Sequence, residues 1–200
     1  MKKWYRMAAT LMVGTCMIVQ VNAQTHYGMG AGTVGNSHAF FGTDAGKVNT
    51  GWNNTMLGHQ AGMSNTTGGE NTFVGRQAGL SNLSGQGNTF IGQNSGQGNQ
   101  NGLNNTFLGT SSGGSNKKSY NTYIGAYAGQ GNVNGQSNVY IGNWVGDQSY
   151  EASFNVVLGN SAFNMGTGNL NCIIGISSGA GNTGNSNVFF GANTGMHNNG

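Results

Sequence analysis

One nine-residue phrase recurs along this chain at a nearly constant interval. It reads "NTFVGRQAG" at 71–79, "NTFIGQNSG" at 88–96 and "NTFLGTSSG" at 105–113. Aligned on the Gly that closes its apolar triplet, the phrase falls at Gly42, Gly58, Gly75, Gly92, Gly109, Gly125, Gly142, Gly159, Gly175 and Gly191, in steps of 16 or 17 residues. Self-similarity at a short fixed period marks an array of stacked units, none of which buries its apolar face alone. A unit this short cannot hold a pair of helices, and no 3.6-residue apolar period runs through it.

Each unit has the form N-[TV]-[FYM]-[VIL]-G-x-x-[AS]-G followed by a polar tail. A β-branched and aromatic run between Asn and Gly predicts a short strand. The tails, such as "LSNLSGQG" and "QGNVNGQS", are turn chemistry, because Gly and Asn tolerate positive φ. The expected fold is all-β: a β-solenoid of ten 16–17-residue coils over 38–200, preceded by a glycine-rich lead-in segment over 24–37. Composition agrees. Gly and Asn fill 70 of 200 positions (39 and 31), and Pro is absent. A chain that donates most of its backbone N–H groups to a ladder has little place for Pro.

Motif positions are numbered here from the Asn. Position one is Asn in nine of ten units: Asn54, Asn71, Asn88, Asn105, Asn121, Asn138, Asn155, Asn171 and Asn187, with His38 as a capping variant in the first. A second Asn row follows eleven residues on, at Asn49, Asn65, Asn82, Asn99, Asn116, Asn132, Asn182 and Asn198. Stacked coils set identical side chains about 4.7 Å apart, so the amides are expected to bond up and down the stack. The small row Ala45, Ala61, Ala78, Ser95, Ser112, Ala128, Ala162 and Ser178 fits an inward position at a tight corner.

Side chains alternate faces along a strand. Positions two and four share one face (Thr72 with Val74, Thr89 with Ile91), and position three takes the other. Position three reads Phe40, Met56, Phe73, Phe90, Phe107, Tyr123, Tyr140, Val157, Ile173, Phe189. Both faces of the strand are therefore apolar, whereas a lone solenoid needs only one filled. A continuous exposed apolar stripe is rare on a soluble monomer. The expectation is that the position-three column is an interface between identical chains.

These units resemble the head repeats of trimeric autotransporter adhesins, and more closely the Gly/Asn-rich repeats of exported bacterial proteins and phage tail fibres. "NTFVGRQAG", "NTYIGAYAG" and "NVYIGNWVG" carry the resemblance, which covers nearly all of 38–200. It implies a left-handed parallel β-roll, three chains packed side by side, and a passive surface projection or adhesin head. Two departures matter: the units here are longer than those of adhesin heads, and no heptad stalk or membrane barrel follows. The last unit stops inside its tail, at "GMHNNG", the pattern of either a fragment of a longer array or a short free-standing one.

The first residues read differently. "MKKWYRMAATLMVGTCMIVQVNAQ" has a basic start, an apolar run from Met7 to Val21 and a small-residue "VNA" end. That is the pattern of a secretory signal peptide over 1–23. It predicts export to the cell surface or the medium. Past it, Lys47, Arg76, Lys117 and Lys118 balance Asp44, Glu70, Asp147 and Glu151, so four minus four leaves zero net charge. Nucleic-acid binding needs a basic footprint, which this balance does not supply. No segment of the mature chain reads as transmembrane.

Catalytic, cofactor and metal sites are expected to be absent. Gly30-x-Gly32-x-x-Gly35 matches a dinucleotide fingerprint, but no strand leads into it and no helix pattern follows. Ser115 precedes Lys118 by three residues, the spacing of a Ser–Lys pair, but inside a variable polar tail. No His has a second His or Cys at metal-ligand spacing. Four scattered carboxylates leave little for acid–base work. Cys172 fills a slot held elsewhere by Thr or Val and reads as a small core residue.

The reading is a non-catalytic exported projection. The alternative is a module binding glycan or another ligand, with Trp52, Tyr120, Trp144 and Tyr150 as sugar-stacking candidates. The Thr row at 55, 72, 89, 106 and 122 invites an ice-binding reading, but it turns to Val139, Val156, Cys172 and Val188 without a break. The most individual tails are "SNKKSY" and "DQSYEASF". Contact specificity is therefore expected at Lys117, Lys118, Tyr120, Trp144, Tyr150 and Glu151.

Overall fold

The computed structural model describes residues 25–27 and 37–200; the signal peptide expected over 1–23 and most of the segment over 24–37 lie outside the described residues. Eleven three-residue strands follow one another: β1 (Thr25–Tyr27), β2 (Ala39–Phe41), β3 (Thr55–Leu57), β4 (Thr72–Val74), β5 (Thr89–Ile91), β6 (Thr106–Leu108), β7 (Thr122–Ile124), β8 (Val139–Ile141), β9 (Val156–Leu158), β10 (Cys172–Ile174) and β11 (Val188–Phe190). They form one parallel sheet in sequence order. Register follows the motif, pairing Thr72 with Thr89 and Thr89 with Thr106, and likewise Phe73 with Phe90 and Phe90 with Phe107. The described residues contain no helix. The chain is a β-solenoid, as its period predicts.

The strands are short because positive φ brackets them. The residue before the Asn is left-handed in every described coil, for example Glu70 (φ 58°) and Asn104 (φ 53°). The Gly at position five sits near φ 132° at Gly75 and Gly92. A Cβ on Gly92 would lie 2.5 Å from the carbonyl oxygen of Gly109, so glycine is required there by both conformation and contact. The ladder runs on past the strands. Thr72 N–H donates to Asn88 O of the next coil (2.8 Å), Gly75 N–H to Leu57 O of the previous one (2.7 Å), and Gly79 N–H again forward to Ser95 O (2.9 Å). Each coil is thus tied to both neighbours around most of its circuit.

The core is the position-three column. Phe40, Met56, Phe73, Phe90, Phe107, Tyr123, Tyr140, Val157 and Ile173 are all 0% exposed within a single chain, and Phe189 is partly buried at the last described coil. This corrects the expectation that Phe40, Met56, Phe73, Phe90, Phe107, Tyr123, Tyr140, Ile173 and Phe189 face a partner. The physical reason lies in the tail, which folds back over the inner strand face and seals the column with the two Asn rows and the small Ala/Ser row, all buried through most of the stack. Successive rings lie face to face: Phe73 to Phe90 at 5.0 Å, Phe90 to Phe107 at 4.9 Å, Phe107 to Tyr123 at 4.9 Å.

The ring at position three leans on the Gly at position nine. A Cβ on Gly79 would come within 2.7 Å of the Phe73 ring. One coil reverses the pair: Val157 stands at position three and Phe163 at position nine, both fully buried. There the aromatic is supplied from the other side of the coil, and Phe163 meets Tyr140 at 6.2 Å and 58° instead of stacking.

The Asn rows do what stacking requires. Asn88 N–H donates to Asn71 Oδ1 (3.0 Å), Asn105 N–H to Asn88 Oδ1 (2.9 Å) and Asn121 N–H to Asn105 Oδ1 (2.9 Å). Each amide also ties down a tail, as when Asn88 Nδ2 donates to Gly102 O at 2.8 Å. In the second row Asn82 Nδ2 donates to Asn65 Oδ1 (2.6 Å), and Asn65 to Asn49. His38 takes the Asn place in the first coil: its Nδ1 accepts from Asn54 N–H at 3.1 Å, and its Nε2 lies 3.0 Å from the Asn49 amide.

Candidate interaction surfaces

With position three inside, positions two and four form the outer face of the sheet. Position four is an aliphatic and aromatic row: Phe41, Leu57, Val74, Ile91, Leu108, Ile124, Ile141, Leu158, Ile174 and Phe190. Its members are half-buried or exposed, Leu57 at 47% and Leu108 at 43%. Position two carries Thr in β3 to β7 and Val or Cys in β8 to β11, and neither row holds a charge. From Leu57 to Phe190, this is therefore the apolar stripe that stays open within the described chain. Cys172 belongs to it: the side chain is a free thiol, half-buried on the outer face and not in the core.

The flanks of this face change along the stack. The residue before the Asn is Asn53, Glu70, Gly87 and Asn104 in the early coils; in the later ones the large residues Tyr120, Phe154 and Leu170 are interspersed with Ser137 and Ser186. Tyr120 and Leu170 are both 60% exposed. These large residues occupy left-handed backbone, at φ 64° and 60°. That conformation is unusual for bulky side chains and costs roughly 1–2 kcal/mol each relative to glycine.

The residues expected to make contacts do not converge. Lys117 and Tyr150 stand two coils apart on one row of the tail, linked through Val133 and Asn134 by the bonds Lys117 N–H to Val133 O (2.9 Å) and Asn134 N–H to Tyr150 O (2.7 Å). Lys118 and Glu151 are exposed beside them. Lys117 lines a shallow groove of about 360 Å³ with Ser81, Gln97, Gly98, Gly114, Ser115 and Val133. Tyr120 lies at the entrance of its strand, and Trp144 past the exit of another.

At that exit, sequence reasoning missed a partner. Tyr127 and Trp144 occupy the same motif position on adjacent coils, and their rings stack at 4.1 Å and 13°. Alignment of the units places Tyr127 and Trp144 in one row, so the pairing was available from the register alone. The groups that could act in acid–base or metal chemistry are dispersed. Among the described residues no three His, Cys, Asp or Glu side chains gather, and the ion pair found is Lys47 with Asp44 at 3.4 Å. No described helix is long and apolar enough to cross a membrane. Comparison with family models, with curated proteins and with solved structures finds no match.

Proposed function

We propose that this chain is a non-catalytic, exported structural projection, adhesin-like in build, whose solenoids pack side by side as a homo-oligomer, with a trimer as the assembly. The observation that supports the reading is the uncharged outer sheet face formed by positions two and four. Ten strands at the usual spacing make that face roughly 43 Å long, and with its flanks about 15 Å wide. Two such faces together cover about 1,300 Å², which lies within the range of specific protein interfaces, about 1,200–2,000 Å². Burial of one aliphatic side chain from this row contributes roughly 1.5–3 kcal/mol at most. The shared coil spacing lets identical copies mesh rung against rung. The leading basic and apolar segment of the sequence supports export.

The test is the absolute mass of residues 24–200 by light scattering after gel filtration, for the native chain and for the double variant Ile91→Lys with Leu108→Lys. The expected result is a compact oligomer that the two outward charges reduce to a folded monomer. A native chain that runs as a monomer at all concentrations counts against the reading.

A further inference from the structure

We propose that the Tyr127–Trp144 pair is a carbohydrate-stacking site for neutral, β-linked pyranose chains. The inference is independent of assembly through the outer sheet face.

The backbone gives the first observation. The motif position held by Tyr127 and Trp144 is left-handed in every coil from Asp44 to Asn193, and theirs are φ 59° and 56°. The other coils place Asp, Asn, Ser or the unbranched Gln here, and none of them carries a ring. A Tyr and a Trp in such a conformation strain the fold; Trp144 is exposed and Tyr127 half-buried, and strain retained at the surface points to a use for the side chain.

Ring geometry gives the second. The rings stack from one coil to the next, so their planes lie across the solenoid axis and their outer faces look along it. On the far side of Trp144 the next two coils carry Ser161 and Ser177 in the same row, and a side chain of size returns only with Asn193. Backbone bonds hold these coils in register: Ser161 N–H donates to Asn143 O (2.9 Å) and Ser177 N–H to Asn160 O (3.0 Å). Three coil spacings make roughly 14 Å between the Trp144 and Asn193 rungs. The indole is therefore the wall of a notch floored by two serines.

The chemistry of the notch selects the ligand. An indole face is apolar and electron-rich, and it fits the C–H face of a pyranose whose hydroxyls are all equatorial. The rim carries no charge: two amides flank the pair, and Ile176, 62% exposed, stands beside Ser177. Asn143 and Asn160 are exposed beside the pair, and Ser161 Oγ donates to Asn160 Oδ1 at 2.9 Å. An apolar wall with a few convergent amides and hydroxyls is how sites for small polar ligands are built. Positions six and seven carry no charged side chain from Asn143 to Asn193, which favours neutral sugars over acidic ones.

The experiment titrates the mature chain with cellotetraose and chitotetraose and follows the indole N–H resonance of Trp144 by NMR, with calorimetry alongside. Saturable movement of that resonance with at least one of the two sugars is expected. Trp144→Ser, which installs the residue native to the next two coils, should weaken binding at least tenfold while thermal unfolding is unchanged or shifted upward. Ser161→Trp should also abolish binding, by filling the notch with a third ring. Leu83→Ser, at an exposed position four coils away, should bind as the native chain does. An immobile Trp144 resonance up to the solubility limit of both sugars overturns the proposal, as does undiminished binding by Ser161→Trp. The resonance reads this site alone, so its outcome is separate from that of the mass measurement.

Discussion

The backbone N–H of Asn105 points at the side-chain Oδ1 of Asn88, 2.9 Å away on the neighbouring coil. The same amide group donates from Nδ2 to Gly102 O, closing the tail of its own coil. One side chain thus ties two coils together and shapes a third contact, all without access to water. Asn88→Ala strands a buried donor and a buried acceptor, each worth about 1–3 kcal/mol when left unpaired. The expected loss is about 2–4 kcal/mol, read from the shift of the urea midpoint at unchanged slope. A loss under about 0.5 kcal/mol would mean that water replaces the amide and that the row is not structural.

Phe90 lies between two stacked rings, whereas Phe189 has a neighbour on one side among the described coils. Phe90→Ala leaves a sealed cavity and should cost about 3–5 kcal/mol. Phe189→Ala opens onto solvent and should cost about half of that or less. In a one-dimensional array the deletion at the centre also weakens both adjoining interfaces. Equal costs for the two variants in the same urea series would argue against a continuous ring stack.

Gly92 and Gly114 separate the two reasons a coil keeps a glycine. At Gly92 the backbone is at φ 132° and a Cβ would sit 2.5 Å from the Gly109 carbonyl oxygen. At Gly114 no positive φ is needed, and the nearest atom to a Cβ is Ser111 O at 3.2 Å. Gly92→Ala should therefore cost about 3 kcal/mol or more and prise its coil from the next. Gly114→Ala should stay within about 1 kcal/mol. Hydrogen exchange localises the difference: fast exchange at Gly109 and its neighbours is expected in the first variant only.

The period, the parallel stacking and the Asn rows were legible in the sequence because each is a property of alignment. Which strand face turns inward was not. The alternation of Thr72, Phe73 and Val74 makes both faces apolar, so hydrophobicity alone cannot orient the strand. The deciding signal was steric. A Gly at position nine, such as Gly79, exists to receive the Phe73 ring, and the coil with Val157 moves its aromatic to Phe163 at that place. Pairing these two rows puts position three inside without recourse to a structure. Cys172 was misplaced for the same reason, since position two follows the orientation of position three. The dispersal of Lys117, Tyr120 and Trp144 depends on where each coil bends, and left-handed backbone at Tyr120, Tyr127 and Trp144 is invisible to a rule that expects Gly or Asn there.

Tyr123 and Tyr140 replace Phe in the buried column and carry their hydroxyls into it, with the rings stacked at 5.0 Å. Burial, and for Tyr123 the neighbouring Tyr140, push both phenols well above their ordinary value. The unfolded chain releases these protons near pH 10, while the folded chain holds them. Above that pH the unfolded state binds fewer protons than the native one, so stability falls as pH rises; below it, the two states bind equally and the phenols contribute no pH dependence. Urea midpoints should thus be flat in this respect from about pH 7 to 9 and drop beyond about pH 10. Asn138 lies near the Tyr123 hydroxyl, and Ser149, Asn155 and Asn132 near that of Tyr140, but neither hydroxyl meets hydrogen-bonding geometry with them. Tyr123→Phe should then be neutral or stabilising by up to about 1 kcal/mol, because it removes a buried polar group without leaving another unpaired. The double variant Tyr123→Phe with Tyr140→Phe should flatten most of the alkaline decline. A decline of the same steepness in that variant would assign it to other groups and overturn the account of these two phenols.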